Sequence, residues 1–194
     1  MKTLFLIRHG KASLDGSESE RGLTDEGIIH ATKITEILQN IQPKITKIFS
    51  SPFRRAILTI EPLTKATELE ISLVEKLREK TTGDKSGSEL DIKKMMWEDF
   101  DYKLPNGESS NEATSRAITG INEILDNMKD MDVAAIACHG TLIGLILHHY
   151  QSEFGFNDWK NMTMPDIYKL TFDKDVIVTH IGCGDLQTFK IGQK

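Results

Sequence analysis

The sequence predicts an α/β fold of three layers, with helices on both faces of a central sheet whose strands are mostly parallel. Residues 4–7 and 133–138 are short apolar runs, each with the length of a buried strand. Segments with helical periodicity lie between such runs, and strands that alternate with helices are typical of a parallel sheet. The 194 residues are enough for one domain with a substantial core, so we predict a single domain over 1–194.

Strand-forming runs recur along the chain. The predicted strands span residues 3–7, 47–50, 71–74, 133–138, 168–172 and 176–181, with 186–191 as a candidate edge strand. Asp173-Lys174-Asp175 separates two alternating runs, which is typical of a β-hairpin. The first run is apolar, so we expect its strand at the centre of the sheet.

Two helices are predicted in the first half of the chain. The first begins after Thr24, whose hydroxyl can cap it, and ends before Pro43. Its buried stripe is expected to comprise Ile34, Ile37, Leu38 and Ile41. The second covers 53–66, where we expect Pro62 to cause a kink or an end.

Two further helices are predicted in the second half. Ser109 and Glu112 have the spacing of a capping box, which marks the start of an amphipathic helix. Its apolar stripe consists of Ala117, Ile118, Ile121, Ile124, Leu125 and Met128. The last helix, over 141–150, is apolar nearly all round, which indicates that it is mostly buried.

Residues 81–110 interrupt the alternation of strands and helices. They are rich in Gly, Ser, Lys and Asp, and they also contain Trp97, Phe100 and Tyr102. We expect a partly helical, lid-like insertion with a helix near 90–100. A solvated insertion and a lid over a substrate remain equally open interpretations.

Composition excludes several classes of protein. A net charge of -5 argues against non-specific nucleic-acid binding, which needs a basic face, although a pocket can still be locally positive. No apolar run is long enough to span a membrane, and the run before Arg8 is too short for a secretory signal. Cys138 and Cys183 have no metal-ligand spacing and imply no disulfide, so we expect a cytoplasmic location.

Two histidine–glycine pairs carry the chemistry. Arg8-His9-Gly10 and His139-Gly140 each follow an apolar run. The carboxyl ends of parallel strands form the edge where open α/β sheets bind ligands, so we expect both histidines to face one crevice. Two imidazoles and a guanidinium suit a phosphoryl group, with one histidine as nucleophile and the other groups as an anion clamp.

Five ordered segments resemble the histidine phosphatase superfamily, also called the phosphoglycerate mutase-like family. They are Arg8-His9-Gly10; residues 50–56 followed by Thr59; Leu77-Arg78-Glu79 with Gly83 and Gly87 downstream; Gly107-Glu108-Ser109; and His139-Gly140. Leu23, Thr24 and Gly27 also fit the start of the family's first helix. The resemblance covers nearly the whole chain, and it implies the fold of that family and an enzyme of the phosphatase class.

The resemblance implies two catalytic residues. His9 would attack phosphorus through one ring nitrogen, which requires a neutral ring whose other nitrogen donates to a backbone carbonyl. Glu79 would protonate the leaving alcohol and then accept a proton from the water that attacks phosphohistidine. Glu75 lies nearby, but its spacing to Gly83 matches the family less well than that of Glu79.

The resemblance also implies a phosphate-binding set. Arg8 and Arg55 would hold the phosphoryl oxygens, because a guanidinium matches phosphate geometry and stays charged. Arg54 is expected at the surface or rim. His139 would donate a hydrogen bond, and Gly140 would let the backbone amides at the start of the following helix approach the anion.

Some positions depart from the family pattern. Ala12 stands where members usually carry Ser or Thr, and Asp15 stands where they carry Asn, both in the phosphate-binding loop. Asp15 would place a negative charge near the anion unless it turns away or pairs with an arginine. Lys11 and Lys85 could extend the positive field to a second anionic group. These departures leave the identity of the substrate open.

The remaining histidines are expected to be inert. His30 lies on a polar stretch of the first helix, His148 and His149 end the buried helix, and His180 lies on a C-terminal strand. None has metal-ligand spacing with acidic partners, so we predict metal-independent chemistry with no cofactor.

The sequence therefore predicts a metal-independent phosphomonoesterase that hydrolyses a small phosphorylated metabolite through a phosphohistidine. Two alternatives stay open: a mutase-type phosphotransfer, and a phosphatase of phosphoproteins such as phosphohistidine proteins. The short chain favours access of water over a mutase, and residues 81–110 favour a small substrate. A non-catalytic phospholigand sensor is least favoured, because every catalytic position is intact. We expect a monomer or weak homodimer.

Overall fold

The computed structural model describes residues 1–84 and 87–183. The strands in these ranges are β1 (Lys2–Arg8), β2 (Lys47–Ser50), β3 (Ile71–Leu73), β4 (Val133–Cys138), β5 (Asp166–Phe172) and β6 (Val176–His180). They form one sheet with the order β3-β2-β4-β1-β5-β6. The first four strands in this order are mutually parallel, and β5 and β6 are antiparallel to their neighbours. The predicted hairpin is confirmed as β5–β6, whereas the candidate strand 186–191 lies outside the described residues.

Helices cover both faces of the sheet. They are α1 (Asp25–Asn40), α2 (Arg54–Thr67), α3 (Glu89–Glu98), α4 (Ser110–Asp126), α5 (Gly140–Tyr150) and α6 (Phe156–Asn161). Side chains of α1 and α2 form one core cluster with the sheet, and those of α4 and α5 form a second cluster on the opposite face. The predicted three-layer α/β architecture is confirmed. None of the helices in the described ranges has the length and hydrophobicity that a membrane span requires.

The expected helix starts are confirmed. The hydroxyl of Thr24 accepts from the amide of Gly27 at 3.1 Å. Ser109 and Glu112 form both hydrogen bonds of the capping box. Each cap satisfies an amide that has no partner within its own helix, which explains why α1 and α4 begin where they do.

Two helix expectations are wrong. Pro62 lies inside α2, which continues to Thr67. Burial of Ile60 and Leu63 contributes roughly 3–6 kcal/mol, which offsets the ~3 kcal/mol that an interior proline costs. His30, expected on a polar stretch, is only 6% exposed and lies on the buried face of α1.

Helix α6 was not predicted. Its span of six residues is too short for an amphipathic stripe to stand out in the sequence. The chain from α6 to β5 nevertheless contributes to the site, because the backbone carbonyl of Met162, just after α6, accepts a hydrogen bond from Arg8.

The register of the parallel strands places three chain segments at one edge. Arg8 pairs with Cys138, and Ser50 pairs with Ala137. Immediately beyond the strands, the amide of His9 donates to the carbonyl of Cys138 at 3.1 Å. The residues that follow β1, β2 and β4 therefore converge, and this convergence positions the site.

The segment 81–110 is anchored at its base by one carboxylate. Glu108 accepts from the guanidinium groups of Arg78 and Arg116 at 2.8 to 3.0 Å and from the amide of Thr81 at 2.9 Å. Burial acts to raise the pKa of Glu108, but the hydrogen bonds from Arg116, Arg78 and the Thr81 amide outweigh it and lower the pKa to about 2. Both ends of the segment are thereby held against the chain next to Glu79.

Candidate active site

His9 lies just beyond β1 and is 7% exposed. Its Nδ1 lies 2.7 Å from the carbonyl oxygen of Gly10, so Nδ1 carries the proton and the lone pair is on Nε2. Burial and the adjacent His139 lower the pKa of His9 to about 3. The ring is therefore neutral near pH 7, with Nε2 available as the nucleophile.

Arg55 contacts that nitrogen directly. Its Nε donates to Nε2 of His9 at 3.1 Å. One terminal nitrogen donates to the backbone carbonyl of Glu18, and the other donates to Oε1 of Glu18 at 2.8 Å. Arg55 is 2% exposed, whereas the adjacent Arg54 is exposed, which agrees with the expected choice between the two arginines.

Arg8, the last residue of β1, extends over the start of α5. It donates to the carbonyls of Met162 and Thr163 at 2.8 and 3.1 Å, and its buried Nε has no hydrogen-bond partner among the described residues. A Cβ at Gly140 would lie 2.8 Å from this Nε, so glycine is the residue that leaves room for the guanidinium.

His139 lies behind His9 rather than on the cavity surface. It is fully buried, and its ring centroid is 5.3 Å from that of His9. Its Nε2 lies 2.7 Å from the hydroxyl of Ser51, and its Nδ1 has no partner among the described residues. Burial and nearby arginines hold the pKa of His139 well below its usual range, so it is neutral.

Glu79 caps the N-terminus of α5. Its carboxylate accepts from the amides of Thr141 at 3.2 Å, Leu142 at 3.1 Å and Lys80 at 2.8 Å. These bonds hold the side chain in one orientation, and the helix dipole favours a negative charge there. The expectation that the Thr141 amide points at the bound anion is wrong, because Glu79 already accepts from it.

One cavity joins most of these groups. Its volume is about 1200 Å³. Of the residues predicted for the site, it is lined by Arg8, His9, Arg55, Glu79 and Gly140. Side chains distant in the sequence therefore face one space, with His139 supporting His9 from behind.

The loop after His9 contains a residue that the sequence did not single out. Glu18 lines the cavity and pairs with both Arg55 and Arg21. Nothing in the polar run 17–21 distinguishes Glu18 from Glu20, because the pairing depends on the position of α2. Asp15 turns away from the arginines and accepts from the hydroxyl of Ser13 at 2.9 Å.

Lysines of the cavity wall include one that was expected and two that were not. Lys11 lines the cavity and pairs with Glu26 at 2.6 Å, whereas Lys85 lies outside the described residues. Lys80 and Lys93 also line the cavity, with their side chains almost completely buried. In the sequence they look like ordinary surface lysines in a polar segment, and no local signal marks them.

The described residues contain no group of three or more His, Cys, Asp or Glu side chains that could hold a metal ion. On the cavity wall, His9, Arg8, Arg55 and Glu79 together provide a neutral imidazole, two guanidinium groups and one carboxylate. Such a set suits attack on a tetrahedral anion.

Residues 4–180 match the model of the histidine phosphatase superfamily, branch 1. The chain belongs to that superfamily. The match covers every site residue named above, and it confirms the resemblance seen in the sequence and the predicted phosphatase class.

Two similar proteins are known as phosphatases. A probable phosphatase from Schizosaccharomyces pombe is 28% identical over 198 residues, covering 96% of this chain and 91% of that protein. The glucosyl-3-phosphoglycerate phosphatase of Mycolicibacterium vanbaalenii is 27% identical over 165 residues, covering 75% and 72%.

Solved structures share the fold. The mycobacterial glucosyl-3-phosphoglycerate phosphatase in complex with VO3 superposes with a TM-score of 0.76 at 22% identity, covering 92% of this chain and 97% of that one. This similarity confirms the phosphoglycerate mutase-like architecture that the sequence predicted.

Proposed function

We propose that this superfamily member is a metal-independent phosphomonoesterase that hydrolyses a small phosphorylated metabolite through a phosphohistidine at His9. One observation carries the proposal. The unprotonated Nε2 of a neutral His9 faces a cavity, 3.1 Å from Nε of Arg55, and Arg8 and Glu79 line the same cavity.

Two displacements complete the reaction. In the first, Nε2 forms a bond to phosphorus while the bond from phosphorus to the leaving oxygen breaks, and Glu79, which must enter this step protonated, transfers its proton to that oxygen. In the second, Glu79 takes a proton from water, whose oxygen attacks phosphorus and releases His9. Arg8 and Arg55 stabilise the charge on the phosphoryl oxygens in both steps.

Attack requires that one hydrogen bond gives way. Nε of Arg55 donates to the lone pair that must reach phosphorus. The phosphoryl oxygens can replace both Nε2 of His9 and the carboxylate of Glu18 as acceptors for this guanidinium. Substrate binding and nucleophile release are then the same event.

A small substrate fits the enclosure of the cavity. Thr81, Thr82, Gly83 and Leu90, all from the segment 81–110, form part of its wall. A phosphorylated side chain on a folded protein would have to pass this segment, which supports the lid-like interpretation and a metabolite as substrate. A cytoplasmic location and a monomeric or weakly dimeric state remain parts of this proposal.

Replacement of the nucleophile tests the mechanism. We expect His9→Ala to lower kcat for an aryl phosphate by at least about 10³-fold, because no covalent intermediate can form. Quenching the wild-type protein in alkaline detergent during turnover of ³²P-labelled substrate should trap protein-bound phosphate that is stable to alkali and labile to acid, and His9→Ala should trap none. Turnover should persist in the presence of EDTA.

The matched control is His149→Ala, since His149 is an exposed histidine at the end of α5. It should retain wild-type turnover and labelling. Substantial turnover by a correctly folded His9→Ala variant would show that the reaction does not pass through this residue.

A further inference from the structure

Two buried lysines lie on the cavity wall and have no part in the phosphoryl-transfer steps. Lys80 is 3% exposed and Lys93 is 7% exposed. Lys80 directly follows Glu79, and Lys93 lies on α3. Both line the same cavity as His9 and Arg55.

Neither ammonium group is paired with a carboxylate among the residues that the structure describes. Nζ of Lys93 donates to the hydroxyl oxygens of Thr141 and Thr82, at 3.2 and 3.5 Å. Nζ of Lys80 donates to the backbone carbonyl of Glu108 and lies 3.3 Å from Sδ of Met96. These partners are neutral, so they leave both positive charges uncompensated at close range.

The carboxylates that act on Lys80 through space are Glu108, Glu79 and Glu112, and all three are already engaged. Glu108 accepts from two guanidinium groups, and Glu79 accepts from three backbone amides. Glu112 is paired with Lys103 at 2.6 Å. In the described part of the chain, no ion pair joins any of these three to either buried lysine, so a bound anion would be a direct partner for the two ammonium groups.

The energetics point to a ligand. Lysine is almost never fully buried unless its charge is paired, because removing an ammonium from water is costly. Burial and the nearby positive charge of Lys93 lower the pKa of Lys80 to about 8. A bound anion would relieve the burial cost and the mutual repulsion together.

The position of Lys93 identifies the part of the substrate concerned. The amide of Thr141 donates to Oε2 of Glu79, while its hydroxyl accepts from Lys93. Lys93 therefore lies on the side of the cavity where Glu79 would protonate the departing oxygen. An anion there belongs to the leaving group and not to the phosphoryl group that is transferred.

We propose that Lys80 and Lys93 form a second anion subsite, so that the preferred substrate is a small phosphomonoester with a carboxylate or a second phosphate on its leaving group. This assignment rests on the proposed function, because it uses the orientation of the substrate at His9 and Glu79. The two lysines determine specificity and take no part in bond breaking.

A matched pair of substrates tests the subsite. 3-Phosphoglycerate and glycerol 3-phosphate share a three-carbon skeleton and differ in a carboxylate against a hydroxymethyl group. We expect wild-type kcat/KM to be at least about tenfold higher for 3-phosphoglycerate. The kcat/KM values of 1,3-propanediol bisphosphate and its monophosphate give the same comparison for a second phosphate. The two pairs together show whether the subsite prefers a carboxylate or a phosphate.

Methionine variants separate recognition from packing, because methionine keeps an unbranched stem without the charge. Lys93→Met should lower kcat/KM about tenfold or more for the substrates that carry a second anionic group, mainly through KM. It should change kcat/KM for glycerol 3-phosphate by less than about twofold. Lys80→Met should act in the same direction. Lys94→Met is the control, since Lys94 is the exposed neighbour on α3 and pairs with Glu98.

Binding to the His9→Ala background keeps the subsite testable without turnover. Calorimetry should show tighter binding of 3-phosphoglycerate than of glycerol 3-phosphate, and Lys93→Met should abolish the difference. Equal binding of both ligands, or an equal loss for both in Lys93→Met, would refute the subsite. Absence of turnover by the wild-type protein, with this binding preference intact, would refute the hydrolytic mechanism instead.

Discussion

The two walls of the cavity are built in different ways. The first wall consists of Arg8, His9 and Arg55, which lie at the carboxyl edge of the sheet or at the start of the helix that follows it. The second wall consists of Glu79, Lys80 and Lys93, which are held by the N-terminus of α5 and by the segment 81–110. The first wall would bind and attack phosphorus, and the second would handle the leaving group.

The two walls also differ in how they manage charge. Guanidinium groups on the first wall have carbonyl, carboxylate or imidazole acceptors, and the imidazoles are neutral. The second wall contains one carboxylate saturated by amides and two ammonium groups with neutral partners. This contrast indicates that reactivity is built into the sheet edge, whereas selectivity depends on the insertion.

The largest expected effect after removal of the nucleophile is that of Glu79→Gln. Glutamine keeps one acceptor oxygen for the α5 amides but cannot transfer the proton, so kcat/KM for an alkyl phosphate should fall by about 10²–10⁴-fold. For p-nitrophenyl phosphate, whose leaving group needs no proton, the loss in kcat/KM should be much smaller, because kcat/KM reports the first displacement and not the later attack of water. Steady-state kinetics with both substrates measure the ratio.

Glu75→Gln provides the comparison, since Glu75 is an exposed carboxylate four residues earlier. It should leave both substrates unaffected. If Glu79→Gln slowed the alkyl and aryl substrates equally, Glu79 would have a structural role and the division between the walls would fail.

An intermediate effect is expected for Gly140→Ala. The new Cβ would lie 2.8 Å from Nε of Arg8 and displace the guanidinium from the phosphoryl position. Because a misplacement of about 1 Å can cost roughly 10²-fold, kcat/KM should fall by about 10- to 100-fold for all substrates alike. That uniformity would assign the residue to the first wall.

Gly155→Ala is the matched substitution, because a Cβ there has only one neighbour within 4 Å, at 3.9 Å. It should leave kcat/KM unchanged. If Gly140→Ala lowered kcat/KM only for substrates that carry a second anionic group, the assignment to the first wall would be contradicted. Thermal unfolding of both variants checks that each is folded.

The smallest effect on catalysis is expected for Glu108→Gln, which loosens the base of the second wall. The folded pKa of Glu108, about 2, lies below its ordinary value, so its contribution to stability is present above pH ~4.5 and is lost as pH falls towards 2. Between pH 7 and 4 the wild-type free energy of unfolding should therefore fall by about 1 kcal/mol more than that of the variant.

Urea unfolding at several pH values measures this difference, and Glu98→Gln on α3, an exposed carboxylate, serves as the reference. Identical pH dependence of wild type and Glu108→Gln would mean that Glu108 does not hold the segment. If Glu98→Gln altered the pH dependence of the free energy of unfolding as much as Glu108→Gln, the effect would not be specific to Glu108.

Local patterns were sufficient for much of the fold. Helices α1 and α4 begin at caps recognisable from Thr24 and from the pair Ser109 and Glu112. Of the kink or end expected at Pro62, the end does not occur, because tertiary burial of α2 outweighs a local breaker. Short elements such as α6 have too few residues for periodicity to reveal them.

The sequence by itself determined that His9 and His139 lie close together. A polar group that directly follows a buried parallel strand must lie at the carboxyl edge of the sheet, so His9 and His139 could be placed near each other before any coordinates. Arg54 and Arg55 also lie near this edge, because the start of α2 is only a few residues beyond β2.

Only the tertiary structure decided how the side chains divide the work. Glu79 accepts from an amide 62 residues away, Lys93 reaches a hydroxyl 48 residues away, and Glu18 pairs with an arginine 37 residues away. Contacts at such separations depend on how α3 and α5 pack. No local pattern encodes that packing, because the residues next to a buried lysine in the sequence can be as polar as those next to a surface lysine.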